Sequence, residues 1–316
     1  MFNRYQPEST ASYILADHSI AIIGNDGMEK LITPFNDLFR QSNPDIRFTI
    51  TMRGSSTAIP ALITGVSIFA PMSRDPWAGD RAAFRAVRGY DPTPVRLGYT
   101  GHGPRPGAKT PPAIYVHKDN PLPGLSMDQL RGVLTSGSPE GDLMLWDQLG
   151  IKGKWAGRRI HVYGLRDNGK YASGLREGHL CGRNYVAHYE PFIDRSSVIR
   201  ALSEDPFGIG TIGWFEAAKV SNSVRVVGLS AETGNEFHTP NLSDVAAGSY
   251  PLSSFVSIYL DLPPGQRLDS LIKDYLRLAL SDKGQKIVAA QTHEPDGYVP
   301  LSRQHLEDER RKLEML

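Results

Sequence analysis

The sequence is short of several residue types and patterns, and each shortage excludes a class of protein. Its 316 residues include one cysteine, Cys181, so no disulfide can form within the chain. This fits either a cytosolic protein or an exported one built without disulfides. The formal net charge is only +1, which argues against a large nucleic-acid interface, so we expect no nucleic-acid partner.

Long apolar runs are also missing. The first apolar run, Ile20–Ile23, is far shorter than the roughly 20 residues that a membrane-spanning helix needs. Residues 1–7 lack the apolar segment of a signal peptide. We therefore expect either a cytosolic protein or one whose leader has been removed from the sequence.

Patterns for metal-dependent or nucleophilic chemistry are missing as well. No two of the nine histidines lie three to five residues apart, and the one cysteine stands alone. There is no Gly-x-Ser-x-Gly elbow, and acidic pairs such as Glu204–Asp205 are expected at solvated helix ends. The sequence therefore predicts no metal, no cofactor and no catalytic set, so we do not expect an enzyme.

Short strands alternate with helices along the chain, which predicts an α/β fold. At 316 residues and 40% apolar content, the chain is long enough for two domains with separate cores. Stretches rich in glycine and proline at 98–112 and 248–251 indicate crossovers between them. The charged residues 303–316 predict a solvated terminal helix.

A hydroxyl-rich turn is the most informative segment. Residues 47–52 alternate as a strand does, and Gly54 permits a tight turn. Ser55–Thr57 are residue types that cap helices, and Pro60 fits a first helical turn. Backbone N–H groups at such a helix start suit an anion, although most turns of this kind only cap a helix.

A second turn of this kind, Gly24–Gly27, follows the predicted strand Ser19–Ile23. A helix is expected from about Met28, with Asp26 and Glu29 at the spacing of a capping box. Arg74 follows a third predicted strand, 67–72, directly. It is either a surface arginine or a bidentate oxyanion ligand at the carboxyl end of a strand.

Two glycine patterns imitate nucleotide-binding motifs. Gly164 to Lys170 matches most of a P-loop after a strand, but Tyr171 replaces the Ser or Thr that would hold magnesium. What remains there is a cationic turn suited to an anion. The pattern Gly208-x-Gly210-x-x-Gly213 lies within a segment that itself reads as a strand, 209–215, so it is not expected to bind a dinucleotide.

Several segments, in order over residues 19–302, together resemble the phosphate-binding proteins of phosphate ABC transporters, which are type II periplasmic solute-binding proteins. The matching segments are Gly24–Gly27, Gly54–Thr57, Met72–Arg74, Val116–Leu122, Ser126–Leu130, Asp205–Gly213, Tyr250–Ser253, Pro263–Gly265 and Leu280–Gln285.

The resemblance implies two α/β lobes joined by a two-strand hinge, with the ligand in a cleft between them. Lobe 1 would comprise residues 1–107 and 252–316, and lobe 2 residues 108–251. It also implies a periplasmic or otherwise extracytoplasmic monomer that binds phosphate or a similar oxyanion for the membrane subunits of an ABC transporter. The ligand-binding positions it implies are Asp26, Gly27, Ser55, Ser56, Thr57, Arg74, Arg166, Asn168, Gly169 and Lys170.

The chain departs from the family pattern in the second lobe. Asn168–Lys170 stand where the family has Ser-Gly-Thr, and Gly27 also replaces a hydroxyl residue. The ligand could therefore instead be sulfate, a phosphonate or a small phosphorylated metabolite. Two further alternatives concern function: a sensory or adhesive role, and nucleotide hydrolysis at the near-P-loop. Phosphate keeps a proton near neutral pH and sulfate does not. Asp26 or Asp167 could accept that proton, and our hypothesis is that Asp26 does so and favours phosphate.

Overall fold

The computed structural model describes residues 11–105, 108–214 and 217–316. The opening residues discussed for a leader, the predicted lobe boundary at 107 and the end of the predicted strand 209–215 lie outside these ranges. The chain forms two compact units, one of Met1–Thr100 with Ser254–Leu316 and one of Gly101–Ser253, called units 1 and 2 below.

Strands and helices alternate through both units, as the sequence predicts. The strands are β1 Ile20–Gly24, β2 Phe48–Met52, β3 Ala70–Met72, β4 Thr93–Tyr99, β5 Pro112–His117, β6 Gly124–Ser126, β7 His161–Leu165, β8 Tyr189–Phe192, β9 Gly208–Gly213, β10 Val224–Ser230, β11 Phe255–Leu260 and β12 Val299–Pro300. The α-helices are α1 Glu29–Ser42, α2 Ser55–Ile63, α3 Ala78–Arg88, α4 Met127–Leu134, α5 Lys170–His179, α6 Arg195–Glu204, α7 Leu242–Ala247, α8 Ser270–Ala279, α9 Asp282–Ala290 and α10 Arg303–Met315.

Unit 1 contains a parallel pair, β1 with β2, and a four-stranded antiparallel sheet in the order β12-β4-β11-β3. Gly24 lies opposite Met52, so β1 and β2 end at the same level. Tyr275 of α8 is at the centre of the core, with its ring centroid 5.0 to 5.6 Å from those of Phe39, Phe48 and Phe69. This packing joins α1 and α8 to the start of β2 and to the segment that leads into β3.

Strand β3 is shorter than the predicted strand 67–72. The Ser67 hydroxyl accepts a hydrogen bond from the N–H of Ile23 at 2.8 Å and donates one to the carbonyl of Phe69 at 2.6 Å. A side chain that bonds the backbone locally competes with sheet pairing, which explains the late start of the strand. Gly98, assigned from composition to a crossover, lies inside β4, where a Cβ would meet the carbonyl oxygen of Val299 at 2.6 Å.

Unit 2 is built on a six-stranded mixed sheet in the order β6-β10-β5-β9-β7-β8, in which β7 pairs in parallel with both β8 and β9. The glycines of β9 are buried, and a Cβ on Gly210 would lie 2.6 Å from a methyl carbon of Leu202 in α6. The glycine pattern at 208–213 therefore permits close helix packing inside a strand and does not form a dinucleotide-binding turn.

The terminal helix α10 is not the solvated helix that its charge predicts. Glu309 and Leu313 are buried, and the Glu309 carboxylate accepts a hydrogen bond from the backbone N–H of Arg96 in β4 at 3.1 Å. Arg310 donates to the carbonyl of Leu280 at 2.8 Å. The number of charged residues could not predict this packing, because a glutamate can be buried where backbone and cationic groups give its carboxylate hydrogen bonds.

Candidate functional site

The turns after β1 and β2 and strand β3 are held together by backbone hydrogen bonds. The N–H groups of Arg53 and Gly54 donate to the carbonyl of Gly24 at 3.0 and 3.1 Å, and the N–H of Asn25 donates to Pro71 at 3.0 Å. A Cβ on Gly24 would lie 2.5 Å from the Pro71 oxygen, so this close approach requires glycine. The segments therefore lie side by side in unit 1.

Helix α2 begins without a side-chain cap. Gly54 is its N-cap residue, with φ of 120° and ψ of 154°, a conformation that favours glycine. The hydroxyls predicted to cap lie inside the helix instead, and Thr57 donates to the Gly54 carbonyl from its N–H at 3.0 Å and its hydroxyl at 2.8 Å. Pro60 consequently lies beyond the first turn rather than in it. Backbone N–H groups at the start of α2 are left for an external acceptor.

The first residue of α2 is bound to the β1 turn through a side chain that sequence reasoning missed. Ser55 is buried, and its hydroxyl oxygen accepts a hydrogen bond from the side-chain amide of Asn25 at 3.0 Å. Ser56 is exposed and Thr57 half-buried. Asn25 directly follows β1, and this position at the end of a strand is the one feature of the sequence that could have indicated that its side chain binds Ser55.

Asp26 and Gly27 form a short 3-10 turn before α1. The predicted capping box is absent, because α1 begins only at Glu29 and its N-cap residue is Met28, without a side-chain cap bond. Asp26 is exposed and lines a surface depression with Glu29 and Asp296. The same depression is also lined by Lys30, so Asp26 lies among charges of both signs.

Arg74 is neither a simple surface residue nor an unpaired one. Its Nη1 atom lies 2.7 Å from a carboxylate oxygen of Asp80 and donates to the Asp75 carbonyl at 2.9 Å. The guanidinium also stacks on Trp77, 4.0 Å from the ring centroid. The same Asp80 oxygen accepts the N–H of Trp77 at 2.9 Å. Asp80 and Trp77, both missed from the sequence, thus fix the orientation of Arg74.

In unit 2, the turn from Arg166 to Gly169 connects β7 to α5. The N–H of Arg166 donates to Phe192 in β8 at 3.1 Å, and that of Gly169 donates to the Arg166 carbonyl at 2.9 Å. Gly169 is the N-cap residue of α5, which has no side-chain cap bond. The side chains of Arg166, Asn168 and Lys170 are exposed. This second helix start, with two cations beside it, has the properties of an anion site.

The near-P-loop does not form a P-loop. Gly164 lies inside β7, opposite Pro191 and Thr211, and a Cβ there would meet the Tyr189 hydroxyl at 2.1 Å. The turn is therefore too short to wrap a polyphosphate. Tyr171 is turned inward, where its hydroxyl lies 3.2 Å from that of Thr211, and not toward a magnesium position.

Two stacked tyrosines support this turn from within unit 2. The rings of Tyr185 and Tyr189 have centroids 4.4 Å apart, and burial raises the pKa of both hydroxyls above the usual value. The Tyr189 hydroxyl donates to the carbonyl of Leu165 at 2.5 Å and that of Tyr185 to Ala172 at 2.8 Å. They fix the end of β7 and the first turn of α5, which the sequence did not indicate.

Within residues 11–105, 108–214 and 217–316, no three His, Cys, Asp or Glu side chains are grouped so as to hold a metal ion. In the same ranges no helix has both the length and the apolar character required to cross a membrane.

Comparison with known proteins gives a consistent family. The profile described as "PBP superfamily domain" matches residues 23–283. The proteins named phosphate-binding protein PstS from two strains of Pseudomonas aeruginosa are 31% identical over 287 residues, which covers 90% of this chain and 83% of theirs.

Solved structures share the fold at lower identity. PstS from Borrelia burgdorferi has a TM-score of 0.57 and 16% identity, covering 89% of this chain and 98% of that one. An ABC-type phosphate transport receptor from Vibrio cholerae has a TM-score of 0.51 and 18% identity, covering 89% and 99%. These likenesses confirm the predicted periplasmic-binding-protein fold. The profile match and the Pseudomonas aeruginosa relatives show that the chain belongs to the PBP superfamily and, within it, to the family of phosphate ABC transporter substrate-binding proteins.

Proposed function

We propose that this chain binds phosphate and delivers it to the membrane subunits of an ABC transporter. The Pseudomonas aeruginosa relatives are named as phosphate-binding proteins, and they align over most of both chains. Within the structure, the proposal depends chiefly on the start of α2, where an uncapped helix N-terminus lies beside the β1 turn and the half-buried Arg74 follows β3.

The physical chemistry of a phosphate anion favours these groups. An anion taken out of water needs hydrogen bonds to nearly all its oxygens and a nearby positive charge. The N-termini of α2 and α5 supply N–H donors and positive potential, and three cationic side chains supply charge. We propose that one phosphate per chain is contacted by Asp26, Gly27, Ser55, Ser56, Thr57, Arg74, Arg166, Asn168, Gly169 and Lys170.

The cellular role follows from the same family membership. We propose an extracytoplasmic monomer that transfers phosphate without transforming it and has no nucleic-acid partner. The short turn at 166–169 supports a binding role over nucleotide hydrolysis, because it lacks the length of a P-loop and is followed by Tyr171 in place of the Ser or Thr that would hold magnesium.

Isothermal titration calorimetry on phosphate-free protein tests the proposal. We expect saturable binding of one phosphate per chain, accompanied by a rise in melting temperature that grows with phosphate concentration. Sulfate and methylphosphonate serve as competing ligands, and ATP with magnesium tests for turnover. Absence of both heat and a melting shift at millimolar phosphate would refute the proposal, whereas tighter binding of methylphosphonate or sulfate would keep an anion-binding role and change the ligand.

A further inference from the structure

Positive charge is concentrated in the loop that precedes β7 in unit 2. This loop, residues 151–160, is called the basic loop below, and its exposed cations are Lys152, Lys154, Arg158 and Arg159. No Asp or Glu occurs between Asp147 and Asp167, although the net charge of the whole chain is only +1. Within the described residues, none of the four cations forms an ion pair with a carboxylate. The protein therefore leaves this charge unneutralised.

The basic loop is ordered by its own backbone and by buried side chains. The N–H of Ile160 donates to the Met144 carbonyl at 2.8 Å, and the N–H of Trp146 donates to the Arg158 carbonyl at 3.0 Å. The indole N–H of Trp146, a fully buried side chain, donates to the carbonyl of Phe207 at 3.0 Å. The cations thus project from a fixed base, which lowers the entropy lost when a partner binds.

Two of the cations lie over neighbouring aromatic rings. The ammonium of Lys154 is 4.2 Å from the ring centroid of Trp155, and the guanidinium of Arg158 is 5.3 Å from that of Phe207. The two rings are themselves 6.2 Å apart. An aromatic face attracts a cation but has no net charge, so these contacts position the two groups without cancelling their charge.

A surface of this kind complements a partner whose charge is uniformly negative. Contacts between proteins are usually patterned in both signs, which fixes their register, and the basic loop has no acidic residue with which to do so. A bilayer of anionic headgroups requires no register, and each Lys or Arg near it strengthens binding about fivefold. We infer that the basic loop is a docking surface for an anionic phospholipid bilayer.

The buried side chains of the loop define the kind of contact. Ile151, Trp155 and Ile160 are all buried, so no large apolar side chain of the loop is available to insert between lipids. The attraction is therefore electrostatic, reversible and weakened by salt. It goes beyond the proposed function and does not depend on phosphate binding. Its effect would be to hold the chain close to a membrane surface without anchoring it there.

The test is co-sedimentation of the full chain with lipid vesicles at low and high salt. We expect binding to vesicles of phosphatidylglycerol and phosphatidylcholine in equal amounts, little binding to phosphatidylcholine alone, and loss of binding at high salt. Lys152→Gln combined with Lys154→Gln should weaken binding about tenfold or more. The matched control, Lys283→Gln with Lys286→Gln, removes the same charge from exposed positions of α9 in unit 1 and should change binding less than threefold.

Three results would overturn the inference: no binding of wild-type protein to the mixed vesicles at low salt, equal losses in the two double variants, or binding to soluble polyphosphate but not to vesicles. Arg158→Gln with Arg159→Gln is a second variant of the loop and should also weaken binding, whatever the folding of the first. Phosphate affinity, measured by calorimetry, should be the same in all these proteins. Wild-type protein that binds vesicles but not phosphate would refute the proposed function and leave this inference intact.

Discussion

Arg74→Ala is expected to weaken phosphate binding by about 2 kcal/mol, roughly 30-fold in Kd. Removing one partner of a desolvated charged contact costs ~2–5 kcal/mol. Two features place Arg74 at the low end of this range: its side chain keeps 22% exposure, and Asp80 already offsets its charge at 2.7 Å. The substitution also removes the stacking on Trp77, so some loss of folding stability is expected as well.

Calorimetry at fixed ionic strength measures the binding loss, and thermal unfolding without phosphate measures the stability loss separately. Arg303→Ala is the control, because that arginine is 93% exposed and its ion pair is with Glu307 along its own helix. Asp80→Asn is the counterpart: it keeps an oxygen for the Trp77 N–H but removes the charge that competes for Arg74, so it should tighten binding or leave it unchanged. A change in Kd of less than threefold in Arg74→Ala would place this residue outside the binding site.

Three further outcomes are expected. Gly24→Ala should destabilise unit 1 by ~1–3 kcal/mol, since a Cβ at that position has no space against β3. Gly79→Ala is the control and should leave stability unchanged, because a Cβ there meets nothing within 4 Å; urea unfolding of both variants tests this. Tyr189→Phe removes the bond to the end of β7 and should cost ~0.5–1.5 kcal/mol of stability; an unchanged urea midpoint would contradict that role. Burial lowers the pKa of His188, so the unfolded chain binds a proton at this residue more readily than the folded chain does. The stability that is present above the ordinary histidine pKa should therefore be lost as the pH falls through the lowered pKa of the folded state. His188→Gln should make the melting temperature depend less on pH over this range.

The strand-turn-helix units of the site were predictable because each depends on neighbours in sequence. Alternation before Gly54 and the polar turn after β1 are local patterns, and local patterns fix strands, turns and helix starts. Even there the cap was misplaced. The three hydroxyl residues suggested side-chain capping, but the φ of 120° at position 54 favours a glycine at the N-cap position.

Partners distant in sequence or set by packing were not predictable. Asp80 meets Arg74 only once α3 has been placed against β3, and the Asn25 amide meets Ser55 only once β1 and β2 have been paired. Gly164 shows the same limit in reverse. The sequence alone does not distinguish a glycine that makes room for a tyrosine inside a strand from a glycine that begins a phosphate-binding loop.

The discontinuity of unit 1 has a consequence for how the chain acquires its structure during synthesis. Strand β11 lies between β3 and β4, yet Phe255 reaches its partner Tyr99 only after all of unit 2 has been made. Unit 2 is continuous, so its sheet can form from one stretch of chain, whereas β3 and β4 must wait with unpaired edges. The other edge of β4 waits longer still, for β12 at Val299–Pro300, so nascent unit 1 is the part of the protein most exposed to aggregation until residue 300 has emerged.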